Sequence, residues 1–327
     1  MTIIENAYKM SRIASIDYIK VLCIMLMVLC HYTLKNEFIV QIIYGFHMPM
    51  LFMVSGYLFR RRDITSEIKS FGVPILVFST IGITWGLIVN TFHTNSESVF
   101  EYLHKCIPAI FFTNHGEYHT PFTGLWFIIG LLCTRILFHY INIKKYGNIL
   151  SIISVIIIEA NNQLDLSITL RENNLLRVLQ IIPFFYFGDV IREKKCHVGK
   201  TLAWILLFFY LMVCITNGRV EMYEGVFGKY YILCLLSVTA LFLSLLKLLD
   251  LPSNSIIKLY STGTFLILGT HIIGFTNIIR YLSKNQTVSQ HNLIVIIFFL
   301  LYFLFILPII HFVNNHCPII MGKLRKV

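Results

Sequence analysis

Residues 20–31, KVLCIMLMVLCH, place ten apolar or sulfur-containing residues between a lysine and a histidine. A run of this kind is typical of a membrane-spanning helix, which needs about 20 predominantly apolar residues. The stretch therefore predicts a span at about residues 16–34, with an ionisable side chain towards each end.

The composition of the whole chain supports a membrane location. Hydrophobic residues make up 57% of the 327 residues and charged residues 13%, whereas a typical soluble domain carries about 25% charged residues. The mean hydropathy is +0.74. We therefore expect an all-α, polytopic bundle of membrane helices rather than a soluble domain.

Ten apolar runs along the chain are predicted as spans. They cover about residues 16–34, 39–59, 71–92, 124–141, 147–160, 175–191, 201–217, 228–248, 258–281 and 292–314. The segments between them are too short to form a separate soluble domain. The expectation is therefore a single membrane domain over residues 1–327.

Lys and Arg are distributed unevenly between the two sides of the predicted bundle. With a cytoplasmic N-terminus, the cytoplasmic segments and span mouths hold 18 of the 27 Lys and Arg residues, the outer segments hold 8, and Arg135 lies within a span. Because cytoplasmic loops carry an excess of these residues, both termini are predicted to be cytoplasmic. This topology explains the net charge of +11, so nucleic acid is not expected as a partner.

The eight cysteines are scattered along the chain, and no CxxC or CxH pair occurs. Metal sites and disulfide frameworks are usually indicated by such spacings. We therefore expect neither a bound metal ion nor a disulfide framework.

Lys20 and His31 are predicted to lie on one face of their helix. Eleven residues of α-helix rise roughly 16 Å and turn through about three full turns plus 20°, so each side chain lies near one membrane surface. Ionisable residues at membrane depth are candidates for functional groups. Two interpretations remain open. In the first, Lys20 extends to the membrane interface and His31 hydrogen-bonds a neighbouring helix, independently of each other; in the second, both residues belong to one functional site.

The same stretch resembles the Arg/Lys-x10-His motif of the acyltransferase-3 membrane family, and IDYIK at 16–20 resembles its Asp-containing lead-in. FHMPMLFMVSGYLFRR at 46–61 is similar to its second signature, especially in the polysaccharide O-acetyltransferase and fucose 4-O-acetylase-like branch. Further resemblances follow in the expected order over nearly the whole chain: GLWFII at 124–129, IIPFFYFGDVIR at 181–192, STGTFLILGTHIIGF at 261–275 and CPIIMGK at 317–323.

The resemblance implies a membrane-bound O-acyltransferase of a bacterial cytoplasmic membrane. Such enzymes move an acyl group, usually acetyl from cytoplasmic acetyl-CoA, to a hydroxyl of a cell-surface polysaccharide or its lipid-linked precursor. Lys20 would contact CoA, and His31 would act as general base or form an acetyl-histidine intermediate. His47 would orient the acceptor or relay a proton, or else make a structural hydrogen bond.

Arginines near one membrane surface are further candidates for binding the phosphates of CoA. Arg60 and Arg61 follow the second predicted span, where they also fit a cytoplasmic membrane interface. Arg135 lies inside a predicted span and needs a partner. A CoA phosphate or Asp189 is expected to supply it.

Four residues are candidates for contact with the acceptor. Ser55 fits close helix packing or a site contact, and Trp126 fits an aromatic belt at the interface or a platform for a sugar ring. Arg177 is expected at the outer end of the sixth predicted span, where it would meet an acidic glycan or the interface. His271 is expected near the middle of the membrane.

Two other classes of function fit a polytopic bundle. A transporter or flippase would use the intramembrane His and Lys for proton relay or substrate binding, and such proteins tend to contain inverted repeats with paired broken helices. No convincing repeat relates the two halves of this chain. A noncatalytic scaffold does not explain why Lys20 and His31 share a helix face.

Overall fold

The protein is described by a computed structural model over residues 13–91, 98–111, 124–164, 176–272 and 275–324. Its elements, in chain order, are α1 (Ala14–His31), α2 (Glu37–Tyr44), α3 (His47–Tyr57), α4 (Ile64–Thr91), α5 (Val99–Phe111), α6 (Leu125–Tyr140), α7 (Ile143–Leu164), α8 (Val178–Glu193), α9 (Lys200–Asn217), β1 (Val220–Glu221), β2 (Val226–Phe227), α10 (Tyr231–Leu248), α11 (Ser255–Thr262), α12 (Thr264–Thr270), α13 (Phe275–Leu282), α14 (Val288–His316) and a 3-10 turn (Pro318–Met321).

Two of the predicted spans are broken into shorter helices. The run at 39–59 forms α2 and α3, with the break at Gly45 and Phe46. The run at 258–281 is divided among α11, α12 and α13. At Gly263 the backbone N–H bonds the carbonyls of Leu259 and Tyr260 and ends α11. Hydropathy averaged over a window of about 19 residues does not detect such single-residue breaks.

The all-α membrane bundle is confirmed in outline. Within the described residues, six helical segments, with α2 and α3 counted together, are long and apolar enough to cross a membrane: Ala14–His31, Glu37–Tyr57, Ile64–Ile88, Lys200–Asn217, Tyr231–Leu248 and Val288–His316. The other predicted spans are helical in their described parts but shorter or less apolar; α6, for example, has 16 residues. The count of ten spans and the cytoplasmic termini remain predictions.

Helix α3 lies at the centre of the bundle, and two glycines allow α8 to cross it closely. A Cβ placed at Gly56 would lie 1.8 Å from the carbonyl oxygen of Phe185, and one at Gly188 would lie 2.0 Å from the carbonyl oxygen of Met53. Small residues at such contacts let two backbones approach in a membrane. The crossing fixes α3, and with it His47, in the interior.

Candidate active site

A cavity with a volume of 660 Å³ opens at one end of the bundle, which we call the cationic end. Of the described residues that line it, one is acidic, Asp17, and six are basic: Lys20, Arg60, Arg62, Arg135, Arg192 and Lys323. A cleft lined by one sign of charge concentrates ligands of the opposite sign. The cavity is therefore suited to an anionic ligand.

The polarity of the cavity changes with depth. Along α6, the lining residues are Arg135 towards the cationic end and Leu131 and Phe127 successively farther from it. The eight residues from Arg135 to Phe127 correspond to a rise of roughly 12 Å. Leu51 and Val54 of α3 complete this apolar inner end. A ligand that fits the cavity therefore has an anionic end and an apolar end.

Lys20 is held in the wall of this cavity by a hydrogen-bonded cluster. Its Nζ donates to the carbonyl oxygen of Ser261 at 2.7 Å, and the Ser261 hydroxyl donates to Oδ1 of Asp17 at 2.5 Å. The hydroxyl of Thr264 donates to the same Ser261 carbonyl at 2.9 Å. The cluster ties α1 to α11 and directs Lys20 into the cavity rather than along the helix surface.

The arginines between α3 and α4 do not all line the cavity. Residues 59–63 are not helical, and Arg60 and Arg62 line the cavity, while Arg61 lies outside the lining. Alternate residues point to the same side of an extended chain, which accounts for this pattern. Of the two predicted phosphate contacts in this segment, Arg60 therefore lines the cavity together with Arg62, whereas Arg61 does not.

Arg135 is paired with Glu67, so Asp189 was the wrong expectation. Its Nε and Nη2 atoms donate to Oε2 and Oε1 of Glu67 at 2.9 and 2.8 Å. The guanidinium carbon lies 5.0 Å from the centre of the Phe59 ring and 5.4 Å from that of Phe71. Glu67 is in the first turn of α4, which packs against α6.

Asp189 instead forms an ion pair with Arg192, three residues later on α8. Arg192 also donates to the backbone carbonyls of Tyr57 and Phe59 at the end of α3. It lines the cavity, although sequence reasoning did not select it. Its position one turn after Asp189, among the cations of residues 192–195, was the available signal.

Three histidines come together at the other end of α1. The rings of His31 and His271 are 5.0 Å apart between centroids, at an interplanar angle of 67°. His47 is close enough to His31 for an electrostatic interaction, and its ring lies 5.1 Å from that of Tyr44. His31 is partly exposed, and none of the described residues hydrogen-bonds its ring. The cluster joins α1, α3 and the end of α12.

Backbone carbonyls set the tautomer of two of these rings. Nδ1 of His47 lies 2.8 Å from the carbonyl oxygen of Ile43, and Nδ1 of His271 lies 3.1 and 3.0 Å from those of Ile267 and Leu268. Because a carbonyl only accepts, each Nδ1 carries a proton and the neutral ring has Nε2 as its acceptor. Nε2 of His271 is buried and has no partner among the described residues. His31 therefore lies beside two rings whose acceptor atoms are fixed.

Apolar side chains separate the cavity from the histidines. Ile24 and Met27 lie on the α1 face between Lys20 and His31 by helical spacing, and they are 0% and 1% exposed. The cavity lining on α3 ends at Leu51, four residues or roughly 6 Å of rise beyond His47. Lys20 and His31 thus share a face, but packed residues fill the space between them.

The predicted acceptor contacts are placed in three different surroundings. Ser55 lines the cavity beside the basic residues, and His271 belongs to the histidine cluster. Trp126 is 5% exposed and packs against Phe52 and Tyr223. An aromatic belt facing lipid does not fit this burial.

Arg177 lies at the start of α8, as expected, but it is fully buried, so its side chain does not face the membrane interface. Its guanidinium carbon lies 4.4 Å from the centre of the Tyr223 ring and 5.4 Å from that of Trp126. Tyr223 belongs to the turn between β1 and β2, and this hairpin covers the start of α8. A two-stranded element as short as this leaves no clear hydropathy pattern, so the burial could not be read from the sequence.

Asp17, Ser261 and Lys323 are further site residues that sequence reasoning did not select. Asp17 comes three residues before Lys20, so helical spacing could have placed the two together. Lys323 lies in the segment after α14 and donates to Oδ1 of Asn314 at 2.5 Å. Within the described residues, no group of three His, Cys, Asp or Glu side chains could hold a metal ion.

Comparison with known families assigns the chain. A family model described as an acyltransferase domain, that of the acyltransferase-3 family, matches residues 13–312. Searches of the curated proteins and of the solved structures found no significant match. The matched region contains the histidine cluster and every cavity-lining residue except those of the segment after α14. The chain therefore belongs to the acyltransferase-3 family and is a multi-pass membrane acyltransferase.

Proposed function

We propose that the protein transfers an acetyl group from cytoplasmic acetyl-CoA to a hydroxyl of a cell-surface polysaccharide or its lipid-linked precursor, in a bacterial cytoplasmic membrane. The observation that carries this proposal is the cavity, which is basic at its mouth, apolar at its inner end and aligned with the α1 face that leads to His31. Acetyl-CoA has the same polarity, with phosphates at one end and a thioester at the other.

The basic residues at the mouth are suited to the phosphates of CoA. Arg60 and Arg62 lie in the segment after α3, and guanidinium groups bind phosphate through paired, charge-assisted hydrogen bonds. Lys20 and Lys323 add positive charge from two other walls. Arg135 already has a carboxylate partner, so we assign it to the shape of the cavity rather than to direct binding of phosphate.

His31 is the residue best placed to activate the acceptor. As a general base it takes the proton of the acceptor hydroxyl, and the oxygen attacks the thioester carbonyl. The C–O bond forms, the C–S bond breaks, and the thiolate of CoA takes the proton back from His31. In the covalent alternative, a ring nitrogen of His31 attacks the thioester carbonyl and expels the CoA thiolate; the acceptor oxygen then attacks the acetyl-histidine, the C–N bond breaks, and the thiolate takes the proton of the acceptor hydroxyl. His271 and His47 offer Nε2 acceptors beside it in either route.

Transfer requires the apolar residues between cavity and histidines to move. Met27 is an unbranched side chain with three rotatable bonds, which adapts easily to a new neighbour. Ile24, one turn earlier on α1, is buried with it. Packing of this kind also keeps water from the thioester until the acceptor is in place.

The test is acetyl transfer by the purified protein. The protein in lipid nanodiscs is incubated with radiolabelled acetyl-CoA and cell-surface polysaccharide from a strain that lacks the gene, and product is identified by O-acetyl signals in NMR. We expect His31→Ala to abolish transfer with normal folding, and His197→Ala, an exposed histidine, to retain it. Wild-type turnover by His31→Ala would reject the catalytic role.

Transport is the competing function, because broken spans such as 37–57 and 255–282 also occur in transporters. Proteoliposomes separate the two. Movement of the glycan across the membrane without acetylation would identify a transporter, whereas acetylated product with no glycan movement supports the transferase.

A further inference from the structure

We propose that Leu51 and Phe127 set the length of the acyl group that the donor can carry, so that acetyl is accepted and longer chains are excluded. The inference rests on the proposed function, because it assigns the inner end of the cavity to the acyl group. It goes further by naming the residues that select the donor.

The position of the acyl group follows from the charge distribution. The phosphates of an acyl-CoA bind at the basic mouth, where Arg60 and Arg62 lie. The acyl group is at the opposite end of the donor and therefore reaches the apolar end, where Leu51 and Phe127 are the lining residues of α3 and α6 farthest along each helix from the basic residues. These two side chains are 3% and 2% exposed.

Close packing behind this end wall leaves no room for a longer chain. The rings of Phe52 and Phe127 are 4.5 Å apart, and those of Phe52 and Trp126 are 6.0 Å apart. Phe52 is fully buried and Trp126 nearly so. The thioester carbon must meet the acceptor, so any tail beyond it has to be accommodated by these walls. Added methylene groups would force packed side chains off their preferred rotamers.

Leu51 is the better residue to change, because shortening it enlarges the cavity without removing a ring from the aromatic layer. Leu125 provides a matched control. It is a leucine of similar burial, 4% exposed, on the helix that carries Phe127, and it does not line the cavity. Leu51→Ala and Leu125→Ala therefore remove the same atoms from buried positions, but one of them changes the end wall.

The experiment measures binding and transfer with acetyl-CoA and butyryl-CoA. Calorimetry on the purified full-length protein gives the two affinities, and the transfer assay gives the two rates. Wild type is expected to prefer acetyl-CoA by about tenfold or more, a difference of the size that overpacking produces. Leu51→Ala is expected to bring the ratio to within about twofold, and Leu125→Ala to keep the wild-type ratio. Leu51→Val, a milder change, is expected to give an intermediate ratio and serves where Leu51→Ala does not fold.

Two results would overturn the inference: equal use of both donors by wild type, or the same ratio in the Leu51 and Leu125 variants. The two proposals fail differently. Length-selective binding without any transfer would refute the acetyltransferase function and leave the role of the end wall intact. Absence of binding by both donors would refute both proposals.

Discussion

Replacing Glu67 with Gln is expected to destabilise the protein strongly, because it removes the charge that compensates Arg135. The two residues are 1% and 7% exposed, and both hydrogen bonds between them are shorter than 3 Å, at 2.9 and 2.8 Å. The rings of Phe59 and Phe71 lie on the guanidinium and are unaffected by the substitution. The variant therefore isolates the carboxylate.

The size of the effect follows from the burial of the pair. Removing one member of a buried ion pair costs about 3–5 kcal/mol, because the other charge stays buried. The Gln carbonyl still accepts one hydrogen bond from Arg135, so we expect about 3 kcal/mol, the lower end of that range. In a chain of this size, such a loss corresponds to a decrease in Tm of roughly 4 °C.

The assay is thermal unfolding of the purified protein in detergent. Glu67→Gln/Arg135→Met, which removes both charges, is expected to recover most of the lost stability, since apolar replacement of a buried pair is often neutral. Glu193→Gln provides the control. Its exposed contacts with Lys144, at 2.9 Å, and with Arg192, at 3.2 Å, are expected to contribute at most about 1 kcal/mol. An unchanged Tm for Glu67→Gln, or a double variant as unstable as the sum of the two single variants, would refute the reasoning.

Three other predictions test the crossing of α3 and α8 and the cationic end. Gly188→Ala is expected to lower Tm, because the added Cβ would lie 2.0 Å from a backbone carbonyl oxygen of α3 and overpacking of this kind costs about 1–3 kcal/mol. An unchanged melting curve would contradict the close crossing of α3 and α8. Lys20→Ala is expected to raise KM for acetyl-CoA more than KM for the acceptor, and equal effects in steady-state kinetics would indicate a topological lysine. Arg60→Ala and Arg62→Ala are each expected to weaken acetyl-CoA binding by about tenfold, the value of one charge-assisted hydrogen bond, whereas Arg61→Ala is expected to leave the affinity unchanged. If calorimetry gives the same affinity for all three variants, the assignment of the cavity to CoA is contradicted.

Sequence patterns predicted the bundle well where the signal is an average over many residues. Long apolar runs identified the helical segments, and the eleven-residue spacing placed Lys20 and His31 on one face of α1. The breaks at Phe46 and Gly263 were missed because each depends on the local backbone at one residue. Both breaks matter for the site, since His47 begins α3 and Ser261 lies just before the second break.

The candidate site was predicted in its residue types but not in its pairings. Lys20 and Arg60 line one cavity, and His31 lies beside His271, a pairing that the sequence did not indicate. The partner of Arg135 was not predictable, because helix packing rather than sequence order decides which carboxylate reaches it. The burial of Arg177 depends on a short hairpin with little sequence signature.

The most direct measurement is a cryo-EM structure of the full-length protein with bound acetyl-CoA. The account predicts phosphate density at Arg60 and Arg62, a displaced Met27 side chain with Leu51 in place, and a thioester carbon within about 3.5 Å of a ring nitrogen of His31 or of an acceptor hydroxyl bonded to it. Acetyl-CoA bound elsewhere, or a thioester that stays below an unmoved Met27 when the acceptor is also present, would contradict it.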